Sequence, residues 1–300
     1  MGRSHFKILN GEEIMQEIIL KTPAKINWTL DVVRKREDGY HDISTIMQSV
    51  AIYDEITIRR IPEREIKVGV SDPNIPEGKE NIAYKAAELM LDRFKIDEGL
   101  HIYIDKNIPS AAGLGGGSSD GAAVMLGIKS LYDIDITFDE LAYMGSTVGA
   151  DIPFCILGGT ALAEGIGEKL TQLPFTDEFW LVIIKPDFNI STGEIYAHIK
   201  IDDIANRPDN NGFIQALCER ELERMARYGH NVLEEVSAKF YPGIYDIKSD
   251  LYGAGAVYTL MSGSGPSVFG VFKDRDEAQR GYKLLRDKYG EIFLTHTIAK

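Results

Sequence analysis

The sequence predicts an α+β protein of two domains, and three observations lead there. Its 300 residues are 44% hydrophobic and 26% charged, an ordinary globular composition with enough chain for two hydrophobic cores. Alternating and β-branched segments crowd the first third, whereas strands and helical periodicity take turns through the second half. Near the middle, a glycine-rich stretch joins a strand directly to a helix.

The elements follow in chain order. Met1 to Gln16 mixes charge with scattered apolar residues and lacks the apolar run of a secretory signal, so it reads as an extension, with Met15 as an alternative start. Glu17 to Val33 reads as a strand interrupted by Thr22-Pro23. The charged segment Arg34 to Tyr40, with its Asp38-Gly39 turn signal, leads into a second strand. Glu55 to Arg60 and Glu65 to Val70 read as further antiparallel strands, and Ser71 to Lys79 as a polar loop. Asn81 is placed to cap a helix whose Ala83, Ala87, Met90 and Phe94 share one face. Leu100 to Asp105 alternates as a strand, Lys106 to Ser119 is the glycine-rich loop, and Asp120 to Tyr132 is helical, with Val124, Ile128 and Leu131 on one stripe. A helix over Phe138 to Thr147 precedes loops and hairpins marked by Gly158, Gly159, Gly165 and Gly167.

The second half offers a strand at Trp180 to Lys185 and helices at Asn211 to Tyr228 and Asn231 to Phe240. Two strands flank Gly263-Ser264-Gly265, and helix Asp276 to Tyr289 and strand Ile292 to Ile298 close the chain. That alternation predicts a ferredoxin-like α/β sandwich. The division is an extension with the start of the first strand over 1–20, a first domain over 21–168 and a second over 169–300.

Composition also excludes classes. Lys and Arg total 33 against 46 for Asp and Glu, a net charge of −13 that repels phosphodiester backbones, so no nucleic-acid partner is expected. Cys155 and Cys218 are far apart in sequence and read as reduced thiols of a cytoplasmic protein. Apolar runs such as Trp180 to Ile184 fall far short of the roughly 20 residues of a membrane span. A monomer or a homodimer fits equally well.

The densest chemistry is Pro109-Ser110-Ala111-Ala112-Gly113-Leu114-Gly115-Gly116-Gly117-Ser118-Ser119, followed at once by Asp120 and a helix. Successive glycine amides can form a concave nest for an anion, the helix N-terminus adds its dipole, and Ser118 and Ser119 offer hydroxyls to phosphate or metal. A flexible turn with a serine cap is the plainer alternative. The Walker loop is excluded because no Gly-Lys-Ser/Thr follows, and the Rossmann fingerprint because Ser118 stands where its last glycine belongs.

Pro109 to Ser119 resembles the signature loop of the GHMP kinases, ATP-dependent kinases of small metabolites. Thr22-Pro23-Ala24-Lys25-Ile26-Asn27 resembles the first motif of that family, and Met261-Ser262-Gly263-Ser264-Gly265-Pro266-Ser267-Val268-Phe269 the third, in the right order. With Arg36-Glu-Asp-Gly39-Tyr40-His41 and Gly149-Ala150-Asp151-Ile152-Pro153-Phe154, the chain is similar over roughly 21–272 to the branch that phosphorylates a cytidine-diphosphate-linked methylerythritol. The resemblance implies a first domain like domain 2 of ribosomal protein S5, with ATP and Mg2+ as cofactors.

It also implies roles. Asp151, which alone would read as a turn or cap residue, becomes the base that takes the proton of the substrate 2-hydroxyl. Lys25, which alone would read as an edge lysine, pairs with it, and Asn27 binds nearby. Tyr40 stacks on cytosine and His41 reads the base edge, a face for affinity and a directional group for identity. Tyr196 supplies a second aromatic wall, Thr192 a hydroxyl, and Gly263 and Ser264 line the substrate.

Departures remain. Asp120 stands where some relatives have asparagine, leaving open a magnesium role beside helix-dipole capping, with Ser118 and Ser119 as the other metal candidates. Asn231-Val232-Leu233-Glu234 varies a motif often written Asn-Asp-Leu-Glu. The alternatives are a mevalonate-pathway or homoserine kinase, or a non-catalytic module of the same fold.

Overall fold

The computed structural model describes residues 3–9, 12–174 and 178–299. They form two compact units, the first from Met1–Ala24, Tyr53–Ser110 and Gly115–Leu157, the second from Lys25–Ile52, Ala111–Leu114 and Gly158–Lys300. Two long strands, β2 (Glu12–Lys35) and β3 (His41–Ile61), run through both, each preceded by a short segment, strand β1 (Arg3–Leu9) and the Arg36–Tyr40 turn. The turn is the expected one: Arg36 N donates to the Tyr40 carbonyl at 2.8 Å, and Gly39 holds φ at +88°.

In the first unit the sheet order is β1-β2-β3-β5-β4, where β4 is Ile66–Val70 and β5 is Gly99–Asp105. β1 pairs antiparallel with the start of β2, so the extension read at 1–16 contains a strand, a difference that shows an edge strand can form with little apolar patterning. β4 and β5 are parallel, which requires a crossover, and α1 (Ile82–Phe94) supplies it. Asn81 caps α1 by accepting from Ala83 N at 2.8 Å, and Ala83, Ala87 and Met90 are buried as their spacing predicts. α2 (Gly116–Leu131), α3 (Phe138–Ser146) and α4 (Ile152–Leu157) complete the unit, and its core gathers β-strand isoleucines such as Ile56, Ile58 and Ile102 under α1 and α2.

Three sequence readings change here. α2 begins at Gly116 rather than Asp120, so two glycines and both serines form its first turn; Gly115, at φ +70°, caps it without a side chain. β2 continues through Thr22-Pro23, because proline's fixed φ suits an extended strand and its missing N–H is not needed there. The Ile152-Pro153-Phe154 motif is a short helix, with Pro153 in the first turn, where its missing donor costs nothing.

In the second unit β3 pairs with β6 (Thr160–Gly165), which forms a hairpin with β7 (Lys169–Gln172), where the glycines mark it. Then come β8 (Trp180–Lys185), α5 (Thr192–His198), α6 (Asn210–Glu219), α7 (Leu222–Tyr228), α8 (Val232–Phe240), α9 (Gly243–Gly253), β9 (Tyr258–Met261), β10 (Val268–Phe272), α10 (Arg275–Leu285) and β11 (Glu291–His296). The sheet order β11-β8-β10-β9, antiparallel throughout, is the ferredoxin-like arrangement of two split β-α-β units. The single helix expected over 211–228 is two, because Arg220 turns left-handed at φ +58° and the amides of Arg220 and Glu221 close on Leu217 and Ala216. Trp28 on β2 packs among Phe179, Phe213, Tyr258 and Phe269 at ring-centre distances of 5.5 to 6.3 Å. Tyr258 Oη donates to the Trp28 carbonyl at 2.7 Å, which lets the phenol be buried with a partner. Among the described residues no helix is long and apolar enough to cross a membrane.

Candidate functional site

Within the first unit, the start of α2 presents the amides of Gly116, Gly117 and Ser118, which an α-helix leaves without internal partners. Ser118 and Ser119 part company here. Ser119 is fully buried (0%), its hydroxyl donates to the Pro23 carbonyl at 2.7 Å, and its amide donates to Gly115 at 2.9 Å. Thr22 Oγ1 adds a bond to the Ser119 carbonyl at 3.1 Å. Ser119 therefore fastens β2 to α2, with its hydroxyl hydrogen committed to the Pro23 carbonyl. Ser118 is only partly buried, and a Cβ on Gly149 would stand 3.6 Å from its Oγ, so the 149–151 loop carrying Asp151 lies against the first turn of α2. Asp151 is partly buried, and its carbonyl starts α4 by accepting from Cys155 N at 3.0 Å.

Beneath that turn is a charge cluster that the sequence reading missed. Lys106 Nζ reaches Asp54 Oδ2 at 2.6 Å and Asp120 Oδ2 at 2.9 Å, all three side chains being buried. Burial, with the Asp54 charge beside it, pushes the Asp120 carboxyl up to about 7 against the opposing pull of Lys106. Burial works to lower the Lys106 pKa, and the two carboxylates more than reverse it. Asp120 Oδ1 is buried without a hydrogen-bond partner. One signal was available for Asp54: Ile52, Asp54, Ile56 and Ile58 fall on alternate positions, and all four are buried, so a carboxylate sits on the apolar face.

Within the second unit, Lys25 is buried (4% exposed) and donates from Nζ to Asn27 Oδ1 at 2.8 Å, while Asn27 Nδ2 donates to Thr45 Oγ1 at 2.8 Å. The middle of the glycine-rich loop, Ala111–Leu114, belongs to this unit. Lys25 N donates to the Leu114 carbonyl at 2.9 Å, Ser262 Oγ to the Gly113 carbonyl at 2.9 Å, and Ser267 N to the Ala112 carbonyl at 3.2 Å, so the first and third motifs grip it through two main-chain amides and one serine hydroxyl. Gly113, at φ +75°, lies against the Ser262 carbonyl too closely for any side chain.

The third-motif loop is itself gripped by α8. Asn231 Nδ2 donates to the Met261 and Gly263 carbonyls at 2.8 and 2.7 Å, Glu234 Oε2 accepts from Met261 N at 2.8 Å, and Ser237 Oγ donates to the Ser264 carbonyl at 3.1 Å. Positions 231, 234 and 237 recur at helical spacing, which accounts for the Asn-x-x-Glu motif. The Thr192 and Ser264 hydroxyls are 2.8 Å apart, and the rings of His41 and Tyr196 are 5.2 Å apart at 37°. Burial, with Lys35 nearby, holds the His41 pKa below its ordinary value. Tyr40 is 61% exposed at the end of a turn whose Asp38 side chain accepts from its amide at 3.1 Å. His41, Thr192, Tyr196, Gly263 and Ser264 are thus all in one unit, as are Lys25 and Asn27.

Known proteins carry the same patterns. Residues 81–159 match the family model for the GHMP kinases N terminal domain and residues 213–291 that for GHMP kinases C terminal. The chain is 48% identical over 284 residues to a 4-diphosphocytidyl-2-C-methyl-D-erythritol kinase of Acetivibrio thermocellus, covering 95% of this chain and 100% of that one. Identity to the enzyme of the same name from Clostridium botulinum is 45% over 281 residues, covering 94% and 100%. A crystal structure of 4-(cytidine 5'-diphospho)-2C-methyl-D-erythritol kinase superposes with a TM-score of 0.80 at 30% identity, covering 94% of this chain and 100% of the other. A homoserine kinase from Cytophaga hutchinsonii, at TM-score 0.74 and 18% identity over 97% and 98% of the two chains, shares the fold.

Proposed function

The chain belongs to the 4-diphosphocytidyl-2-C-methyl-D-erythritol kinases of the GHMP kinase family, and from that membership we infer that it moves the γ-phosphoryl group of ATP onto the 2-hydroxyl of that cytidyl substrate. The products are the 2-phosphate and ADP, a step toward isoprenoid precursors by the non-mevalonate route. The observation that carries the reading is the 48% identity spanning the whole of a curated relative, which distinguishes it from the homoserine kinase likeness at 18%.

The chemistry assigns work to particular residues. The substrate hydroxyl oxygen bonds to the γ-phosphorus while the bond to the β–γ bridging oxygen breaks, and ADP leaves with that electron pair. Asp151 takes the hydroxyl proton. The Lys25 ammonium, oriented by Asn27, stabilises the developing alkoxide. ATP lies on the loop from Pro109 to Ser118, where the nest-forming glycines and the free amides of α2 support an anion site. His41 reads the cytosine edge, Tyr196 and Tyr40 give it aromatic faces, and Thr192 with Ser264 meets the substrate's polar groups; the adjacency of His41 to Tyr196 supports this.

Mg2+ would suit the oxygens of Ser118 and Asp120, since Oδ1 of Asp120 is buried and unpartnered and magnesium takes hard oxygen ligands. The ion would neutralise charge on the transferring phosphates. A cytoplasmic enzyme, monomeric or homodimeric, completes the reading, with 21–168 supplying the ATP loop and Asp151, and 169–300 supplying Thr192, Tyr196 and the Gly263 loop. The test is ADP release from ATP with the cytidyl substrate, mevalonate or homoserine in turn. Turnover is expected with the first alone, and equal turnover of either other alcohol would overturn the assignment.

A further inference from the structure

Asp54 spends both oxygens on the residues that open the glycine-rich loop. Its Oδ1 accepts from Asn107 N at 2.6 Å and Ile108 N at 2.8 Å, and its Oδ2 accepts from Lys106 Nζ at 2.6 Å. Lys106 Nζ then donates to Asp120 Oδ2 at 2.9 Å, on α2 beyond the loop. The same ammonium would stand 3.1 Å from a Cβ on Gly116, which puts it directly behind the first turn of α2. One fully buried carboxylate (0% exposed) therefore ties down the strand-side stem through two main-chain amides and the helix-side stem through a lysine.

Stability alone accounts poorly for such a cluster. Two carboxylates and one ammonium bring desolvation costs that well-packed apolar side chains avoid, and replacing buried ion pairs by such side chains is often neutral or stabilising. What the charges supply is a fixed separation between two segments that have no ladder hydrogen bonds to hold them.

We propose that Asp54 is a positioning residue for nucleotide binding, holding the two stems of the loop so that the amides of Gly116 to Ser118 stand where a triphosphate can meet them. The inference rests on the reading of that loop as the ATP site. Asp54 touches neither reactant and acts through Lys106, Asn107, Ile108 and Asp120.

Three full-length variants separate the contributions. Asp54→Ala removes every bond, Asp54→Asn keeps an oxygen for the two amides, and Lys106→Met cuts only the link to α2. Each is titrated with ATP alone for its dissociation constant, and Michaelis constants for ATP and the cytidyl substrate are measured beside the melting temperature. Positioning predicts an ATP dissociation constant raised about tenfold or more in Asp54→Ala and about threefold in Asp54→Asn, since bonds to a charged group are the ones lost. The Michaelis constant for the cytidyl substrate should stay within about twofold, a difference between the two substrates that a general loss of structure would not produce. If Asp54→Ala does not fold, Asp54→Asn and Lys106→Met carry the same test. Folded variants that bind ATP within about twofold of wild type overturn the proposal, as would Michaelis constants for both substrates that rise together as the melting temperature falls. A wild type that binds ATP yet leaves the cytidyl substrate untouched would overturn the proposed reaction alone, because the Asp54 test is read on ATP binding.

Discussion

Lys25 and Asn27 project from the same face of β2, two residues apart, and the lysine ammonium donates to the asparagine oxygen at 2.8 Å. Asn27 is anchored in turn by Thr45, so the ammonium is aimed by a side chain that is itself held. Asn27→Ala should lower kcat roughly tenfold to a hundredfold, the value of a lost hydrogen bond to a charged group, with KM for ATP little changed. Steady-state kinetics checks it; an unchanged kcat with chemistry rate-limiting would remove Asn27 from the mechanism.

Asp151 and Lys25 are proposed to serve one proton transfer. Asp151→Asn should cost about 100-fold to 10,000-fold in kcat while both Michaelis constants move far less. Combined with Lys25→Met, the loss should be much smaller than the product of the single losses. A double-mutant cycle reads this directly, and losses that multiply would mean the two groups act separately.

His41 makes a prediction in pH. Its pKa is held low by burial, so the neutral ring persists below the ordinary histidine range and the proton arrives only on stronger acidification. KM for the cytidyl substrate should therefore stay flat as pH falls from neutrality through 6.5, the ordinary value, and rise only below it. In His41→Asn that acid limb should vanish. A wild-type KM that rises already above pH 6.5 would show that another group controls it.

Two substitutions three residues apart should behave oppositely. Ser119→Ala removes a partly buried bond to the Pro23 carbonyl, costing about 1 kcal/mol of stability and a few degrees of melting temperature, with ATP affinity within about twofold. Gly116→Val drives side-chain carbons toward Lys106 Nζ and Ile108 Cγ2, each 3.1 Å from the Cβ position, and should weaken ATP binding more than about tenfold. Calorimetry and nucleotide titration distinguish them, and reversed results would exchange the roles of the two positions.

The α8 clamp is a test of support. Asn231→Ala leaves the Met261 and Gly263 carbonyls without their donor and removes the cap on Leu233 N, about 2–4 kcal/mol in all. The melting temperature should fall, and KM for the cytidyl substrate should rise more than KM for ATP. Equal changes in both would make the clamp a general element of stability.

Much of this was legible in sequence because motifs and periodicity are local. Asn81 and its apolar stripe announce α1, and the turn at Asp38-Gly39 needs no distant partner. The start of α2 was not legible, since glycine's poor helix propensity argues against Gly116 and Gly117; the structure needs them there for exposed amides. The break at Arg220 was hidden for the opposite reason, as the residues around it are good helix formers. Lys106 follows a strand and Asp54 lies inside one, 52 positions earlier, so only folding reveals that they meet. Ser119 looked equivalent to Ser118 because adjacent serines in a helix point to different sides, which sequence adjacency conceals.

Trp28 has a bearing on ancestry. It comes from β2, near the chain's beginning, yet it packs among aromatic side chains contributed by residues 179 to 269. A gene segment encoding only the ferredoxin-like part would yield a protein with a hole of indole size at its aromatic centre. The two halves could not have been shuffled by simple end-to-end fusion without also exchanging the long hairpin that carries Trp28, and so they should be inherited as one piece. Split-protein reconstruction offers a direct view of this: a fragment covering residues 178–300 should be insoluble when expressed singly and recover when produced together with the rest of the chain.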